Sequence, residues 1–306
     1  MSISTSYYFN QAVQQMSELQ ASIAKIQTQL STGQQLTKAS DDPIKVTAIL
    51  RLNTAIARQD SFASTLAIVG DRLQAEEATV KSATDAMTRV KELAIRASSD
   101  TYGAADRAVT AAELSSLGEE LIALASTRDI NGNFLFSGTR VSQPPFAEAE
   151  AGAIEYVGDQ TGVRVAVGEQ REMSANRPGA EVFVAATRDD RGSPAKVGFF
   201  EALGDLIGAL QSGDRGGLQR GIGEIDQLNS GLSHALARIG ADLNVVDTQL
   251  RQVEDTKLRL QTTLSALADV DYAQTITNLQ KESLGLQAIQ SSFAKTSGLS
   301  LFNYLK

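Results

Sequence analysis

Two pairs of adjacent acids, Asp41-Asp42 and Asp189-Asp190, are the first residues here that could do chemistry. Neighbouring carboxylates can share a proton or hold a cation. Asp129, Asn131 and Asn133 in "DINGN" stand at the spacing of a calcium loop. That loop needs Gly at its sixth position and Glu at its twelfth. Here the Gly falls at Gly132 and the twelfth residue is Arg140. Asn131-Gly132 reads more simply as a tight turn into the strand-like "NFLFSG". His234 is the one histidine. It sits between Leu232 and Leu236 of a long apolar repeat, on the side turned to solvent, with no nucleophile arranged around it. Asp189-Asp190 is flanked by Arg188 and Arg191, which reads as a solvated, charge-balanced loop. No phosphate-cradling glycine loop occurs, and "GDQTG" (158–162) reads as a hairpin connection. No catalytic, cofactor or metal residue is expected.

Asp41-Asp42 has a structural explanation in "LSTGQQLTKASDDP" (30–43). Pro43 suits the first position of a helix, where its missing N–H would go unpaired anyway. Asp42 is then the N-cap, whose carboxylate accepts orphan backbone N–H groups. Gly33, just past Leu30, suits a left-handed helix C-cap. Gly33, Asp42 and Pro43 thus mark a joint between two helices. The low-charge residues around it, Gln34, Gln35, Thr37 and Ser40, are expected to contact neighbouring molecules.

The elements around these residues are almost all helical. From Phe9 a 3-4 spacing runs through Ala12, Met16, Leu19, Ile23, Ile26 and Leu30. From Phe62 another takes in Leu66, Val69, Leu73, Glu76, Val80, Ala83, Met87, Val90 and Ala94. A shorter one joins Leu114, Leu117, Leu121 and Leu124. The longest runs from Leu218 to Leu267 through Ile222, Ile225, Leu232, Leu236, Ile239, Leu243, Val246, Leu250 and Val253, interrupted at Asn229 and Lys257. Tyr272, Ile276, Leu279, Leu286 and Phe293 form the last. A 3.5-residue period over several heptads describes a coiled-coil seam. At 1.5 Å rise per residue the longest repeat covers roughly 75 Å, and it needs other rods beside it. Helices at 44–100 and 104–128 are the candidates. Residues 139–198 break the pattern. Four of the five prolines lie there, with strand-like alternation in "AIEYVG", "VRVAV" and "EVFVA".

The expected fold is therefore mainly α with a small β-rich insert: an elongated antiparallel helical coiled-coil rod with paired N- and C-terminal helices. Three parts are expected. Residues 1–41 and 269–306 form a terminal helical domain, 42–138 and 199–268 a helical rod, and 139–198 an outer β-rich domain.

Composition narrows the function. The chain has 306 residues, no Cys and a net charge of −8. Disulfide frameworks and thiolate sites are excluded, and nucleic acid, which binds Lys and Arg, is disfavoured as a partner. No stretch approaches the roughly 18 apolar residues of a membrane span, so no membrane insertion is expected. No Lys or Arg precedes Lys25, so no cleavable signal is expected at the start. The chain reads as cytoplasmic unless another route exports it. The ends are poor in charge: up to Ser40 the charged residues are Glu18, Lys25 and Lys38. The last residues, "GLSLFNYLK", crowd Leu299, Leu301, Phe302, Tyr304 and Leu305 together. Burying those five contributes roughly 8–15 kcal/mol, and ordering the ten or so residues around them costs about the same. Such a tail either packs on its own domain or is covered by neighbouring molecules. The second reading makes Phe9, Met16, Leu19, Ile23, Ile26, Leu30, Tyr272, Ile276, Leu279, Leu286 and Phe293, with the five tail residues, an assembly interface.

"LSTGQQLTKASDDP" resembles the corresponding segment of flagellins and flagellin-like axial proteins. "MSISTSYYF", "NGNFLFSGTRVSQPPF" (131–146) and "VDYAQTITNLQKESLGLQAIQSSFAKTSGLSLFNYLK" (270–306) narrow the resemblance to the hook-associated protein 3 (FlgL) family, the hook–filament junction proteins. It covers about residues 1–146 and 200–306. It implies a structural protein, not an enzyme, placed in a ring of its own copies between hook-associated protein 1 (FlgK) and the flagellin filament. It also implies unfolded export through the flagellar type III apparatus, the chaperone FlgN on the C-terminal segment beforehand, and an extracellular destination. Flagellin itself, the filament subunit, is the nearest alternative. An enzyme in the insert would need more His, Cys or clustered acids. A signalling rod would leave the apolar end unexplained.

Overall fold

The computed structural model describes residues 2–99, 102–149, 153–190 and 193–304, with side chains over 7–99, 102–149, 153–189 and 194–295. Helices α1 (Ser2–Thr32), α2 (Pro43–Ala97) and α3 (Ala104–Ala125) come first. Six short strands and one turn of helix follow, then α5 (Phe199–Ser212), α6 (Arg215–Ala268) and α7 (Tyr272–Tyr304). The chain divides into two units, residues 1–58 with 255–306, and residues 59–254.

In the 59–254 unit, heptad spacing sets the core. Leu66, Leu73, Val80, Met87 and Ala94 recur every seven residues along α2, and Val69, Glu76, Ala83, Val90 and Ala97 do the same half a heptad later. All ten are buried. On α6 the first set, Leu218, Ile225, Leu232, Ile239, Val246 and Val253, is buried as the spacing predicts. The second set differs from expectation. Ile222, Asn229, Leu236 and Leu250 are half-buried, whereas Gly221, Leu228, Ala235 and Gln249, each one residue earlier, are buried; Leu243 and Asp242 before it are both half-buried. The stripe is three residues wide because α6 meets neighbours on two sides. Gly70 of α2 lies against Val246, and Lys91 pairs with Asp226 at 2.6 Å, so α2 and α6 run antiparallel. On the other side α5 folds back along α6, and a β-carbon at Gly221 would stand 2.7 Å from Leu206. α3 lies antiparallel to α5, Gly118 against Leu203 and Arg107 against Gly213, and joins α2 through Arg89–Glu113 at 2.7 Å.

The insert is three separate antiparallel hairpins. β1 (Phe146–Glu148) pairs β2 (Ile154–Tyr156), β3 (Arg164–Ala166) pairs β4 (Glu172–Ser174), and β5 (Ala186–Asp190) pairs β6 (Ser193–Val197). "VRVAV" follows its alternation only in part: Val165 is half-buried and Val167 buried, with Arg164 and Ala166 exposed between them, but Val163 is exposed and precedes the strand. Three expectations fail. "GDQTG" closes no hairpin; it links β2 to β3, whose partners lie elsewhere. "NFLFSG" forms isolated bridges, Arg128 with Phe134 and Ser137 with Pro178, instead of a strand. "EVFVA" is not a strand either: Gly179–Val182 is a single helical turn, α4. Val182 and Phe183 are both buried, a pattern that a strand covered on one face would not give. Pro178 and Gly179 turn the chain, the Gly179 N–H donating to the Phe136 carbonyl at 2.8 Å. Phe183 thereby enters an aromatic cluster, its ring centroid 5.3–6.1 Å from those of Phe136, Phe146, Phe199 and Phe200.

In the other unit α1 and α7 pair antiparallel. The Phe9 and Phe293 rings meet edge to face at 4.9 Å. Further along, Leu19 lies against Gly285, and Gly33 against the Tyr272 hydroxyl.

Candidate assembly interface

Each terminal helix buries one stripe. On α1, Phe9, Met16, Leu19, Ile23 and Leu30 are half-buried and Ile26 is buried. On α7, Leu279, Leu286 and Phe293 are half-buried. Tyr272 and Ile276 are not in that stripe: they are 53% and 44% exposed. Thr275 and Ile289 take the inward positions, and with Leu279, Glu282, Leu286 and Phe293 they make an unbroken 4-3 spacing. Following apolar letters misses Thr275 and Glu282, and the same rule puts Ile276 one residue out of phase. Tyr7, Tyr8 and Val13 of α1 and Leu284 of α7 are exposed as well. The pair thus has apolar side chains both between its helices and on its outer surface. Leu299, Leu301, Phe302 and Tyr304 fall within α7, but their side chains lie outside the described residues, as Leu305 does entirely.

The joint follows from its capping residues. Gly33 has φ +70°, and its N–H donates to the Gln29 carbonyl at 2.9 Å, ending α1. Asp42 caps α2, its Oδ1 accepting the N–H groups of Ile44 at 3.1 Å and Lys45 at 3.0 Å. Asp41 holds the turn instead. Its Oδ2 accepts from the Thr37 hydroxyl at 3.0 Å and from the Lys38 N–H at 3.2 Å, and Lys25 lies 3.3 Å from Oδ1. Desolvation opposes its ionisation, but these donors outweigh it and hold the carboxyl below the ordinary carboxylate value. The returning segment of the chain crosses here too. Val270 N–H donates to the Gly33 carbonyl at 2.9 Å, and Gln35 N–H to the Ala268 carbonyl at 2.7 Å. Asp271 begins α7 by accepting the Gln274 N–H at 3.1 Å. Gln35 and Thr37 are engaged inside the molecule: Gln35 takes Lys45 Nζ at 3.2 Å, and Thr37 binds Asp41.

The remaining chemical candidates have structural occupations. Asp129 Oδ1 accepts the N–H groups of Asn131 and Asn133 at 2.8 and 2.9 Å, and its other oxygen faces Arg72 at 3.5 Å. This is an Asx turn. Arg188 belongs to strand β5 rather than to a solvated loop. It grips Glu224 of α6 with two nitrogens, at 2.6 and 2.8 Å, and reaches Asp205 at 2.7 Å. The hydrogen bond to Glu224 raises its already high pKa. Asp189 follows it in the strand, and Arg191 lies outside the described residues. His234 is exposed. Among the described residues no three of His, Asp and Glu gather where they could hold a metal ion, and no helix is long and apolar enough to cross a membrane.

Residues 3–141 match the bacterial flagellin N-terminal helical region. Over its whole length the chain resembles flagellar hook-associated protein 3: it is 28% identical to that protein of Salmonella typhimurium, with 99% of each chain covered. A flagellin of Treponema pallidum is 25% identical, with 87% of this chain and 86% of that one covered. The crystal structure of FlgL from Xanthomonas campestris superposes with a TM-score of 0.63 at 22% identity, covering 70% of this chain and 99% of that one, and so shares its fold.

Proposed function

We propose that this protein is a structural adaptor of the bacterial flagellum, joining the hook to the flagellin filament without catalysis. Full-length similarity to hook-associated protein 3, both ends included, carries the reading. The paired terminal helices supply its means. Each has one stripe turned inward and apolar residues left outside, as a subunit needs if neighbours are to cover it. In this reading 1–41 and 269–306 are the terminal domain, 42–138 and 199–268 the rod, and 139–198 an outer β-rich domain. The terminal helices pair as a coiled coil that completes itself against the protein's own copies in a ring. Hook-associated protein 1 lies on one side and flagellin on the other. Before that, the chain leaves the cell unfolded, its C-terminal segment guarded by FlgN.

The test is polymerisation and placement. The purified protein is expected to form no long filaments under conditions that polymerise flagellin. Labelled protein is expected at one level of sheared appendages, between hook and filament. Long homopolymers, or label spread along the filament, would make it a filament subunit instead.

A further inference from the structure

Glu76 occupies a heptad core position of α2 and is 0% exposed. Two arginines flank it, and each of these pairs with a further acid. Arg72, one turn earlier on α2, stands 3.5 Å from Oε1, and Arg177 of the insert stands 3.9 Å from Oε2. Arg72 also pairs with Asp129 at 3.5 Å and donates to the Leu135 carbonyl at 2.8 Å. Arg177 also pairs with Asp242 of α6 and donates to the Arg238 carbonyl at 3.4 Å. Neither carboxylate oxygen of Glu76 has a well-formed hydrogen bond, the Arg72 and Arg177 nitrogens standing off at 3.5 and 3.9 Å.

Counting charge is decisive. Two arginines face three acids, and each arginine already has an acid other than Glu76. Asp242 is open to water along one side and Asp129 is tied into its turn, so Glu76 is the acid with the least solvation and only long contacts to its arginines. A cluster of two cations and three anions is balanced when the buried anion carries a proton. We propose that Glu76 is a proton-binding site that makes the latching of the insert by Arg177 sensitive to pH. With the proton bound, Arg72 and Arg177 each keep a single acid and the latch is closed. When the proton leaves, a carboxylate with only long contacts to its arginines sits in the core, and states that let water reach it become more populated. Desolvation, opposed by the two arginines, moves the carboxyl from 4.5 to about 7. Stability from this group is therefore complete below the ordinary carboxyl value and is lost as pH rises through about 7.

The experiment is thermal unfolding of the full chain and its Glu76→Gln variant from pH 5 to pH 8, with infrared detection of protonated carboxyl. Relative to the variant, the wild type is expected to lose roughly 5–10 °C in Tm across that range. At pH 6 it is expected to show a protonated-carboxyl band that the variant lacks. Asp242→Asn, which leaves two cations facing two anions, is expected to weaken that band at the same pH. If Glu76→Gln does not fold, the band and its response to Asp242→Asn decide the matter in the wild-type background. A Tm difference that is constant with pH, or the absence of the band, overturns the proposal.

Discussion

Asp41 and Asp42 are adjacent and chemically identical, yet they do different work. Asp42 feeds two orphan N–H groups at the start of α2, while Asp41 ties the preceding turn to Thr37, Lys38 and Lys25. The cap was legible because Pro43 fixes where the helix starts. The turn was not, because its partners are set by how residues 37–41 curl. Replacing Asp42 by Ala is expected to destabilise the unit containing it by about 1 kcal/mol in chemical denaturation, and Asn is expected to recover most of that. Arg188 shows the opposite failure. Its neighbours in sequence suggested a charge-balanced loop, but its partner Glu224 lies 36 residues away and is 4% exposed. Removing the arginine strands a buried carboxylate. Arg188→Met is expected to cost about 3 kcal/mol, and the double variant with Glu224→Met to restore most of it. A full loss persisting in the double variant would mean that the pair contributes through packing alone.

At the scale of elements, period was easy to read and phase was not. Every position that the spacing along α2 names from Leu66 to Ala94, Glu76 included, is buried, but Gly70, Thr79, Ala86 and Leu93 are buried beside them and lie outside the spacing. On α6 and α7 the period holds, but half of the inward positions move by a residue. Gly221, Thr275 and Glu282 are not apolar letters, and a reading that follows Leu and Ile skips them. The insert was recognisable by its prolines, yet "EVFVA" misled, since hydrophobic β-formers can serve an aromatic cluster without making a strand. The α1–α7 pair, with one inward stripe per helix, is expected to exchange its amides faster in the monomer than buried positions of α2 such as Val80 and Met87. Hydrogen exchange on the monomer and on assembled protein checks this. Equal protection of both ends in the monomer would mean that the pair is complete by itself.

For the molecule as a whole, assembly is the property that sequence could only suggest. Low charge at both ends and the crowded "SLFNYLK" tail pointed to surfaces meant to be covered, and nothing within one chain can say by what. Removing residues 297–306 is expected to leave helices α2, α3, α5 and α6 folded by circular dichroism and thermal melting. In cells the same deletion is expected to stop filament growth and release flagellin into the medium. Normal filaments on such a strain would relocate the essential surface to the remaining parts.

One detail bears on mechanics. At the joint the outgoing and returning chains lie side by side, tied by the hydrogen bonds Val270 to Gly33 and Gln35 to Ala268. A single linking strand can swivel about its own backbone bonds. Two strands tied together cannot, because rotating one would wind it around the other and break both ties. Paired in this way, the two segments are expected to resist twisting at the joint more than bending.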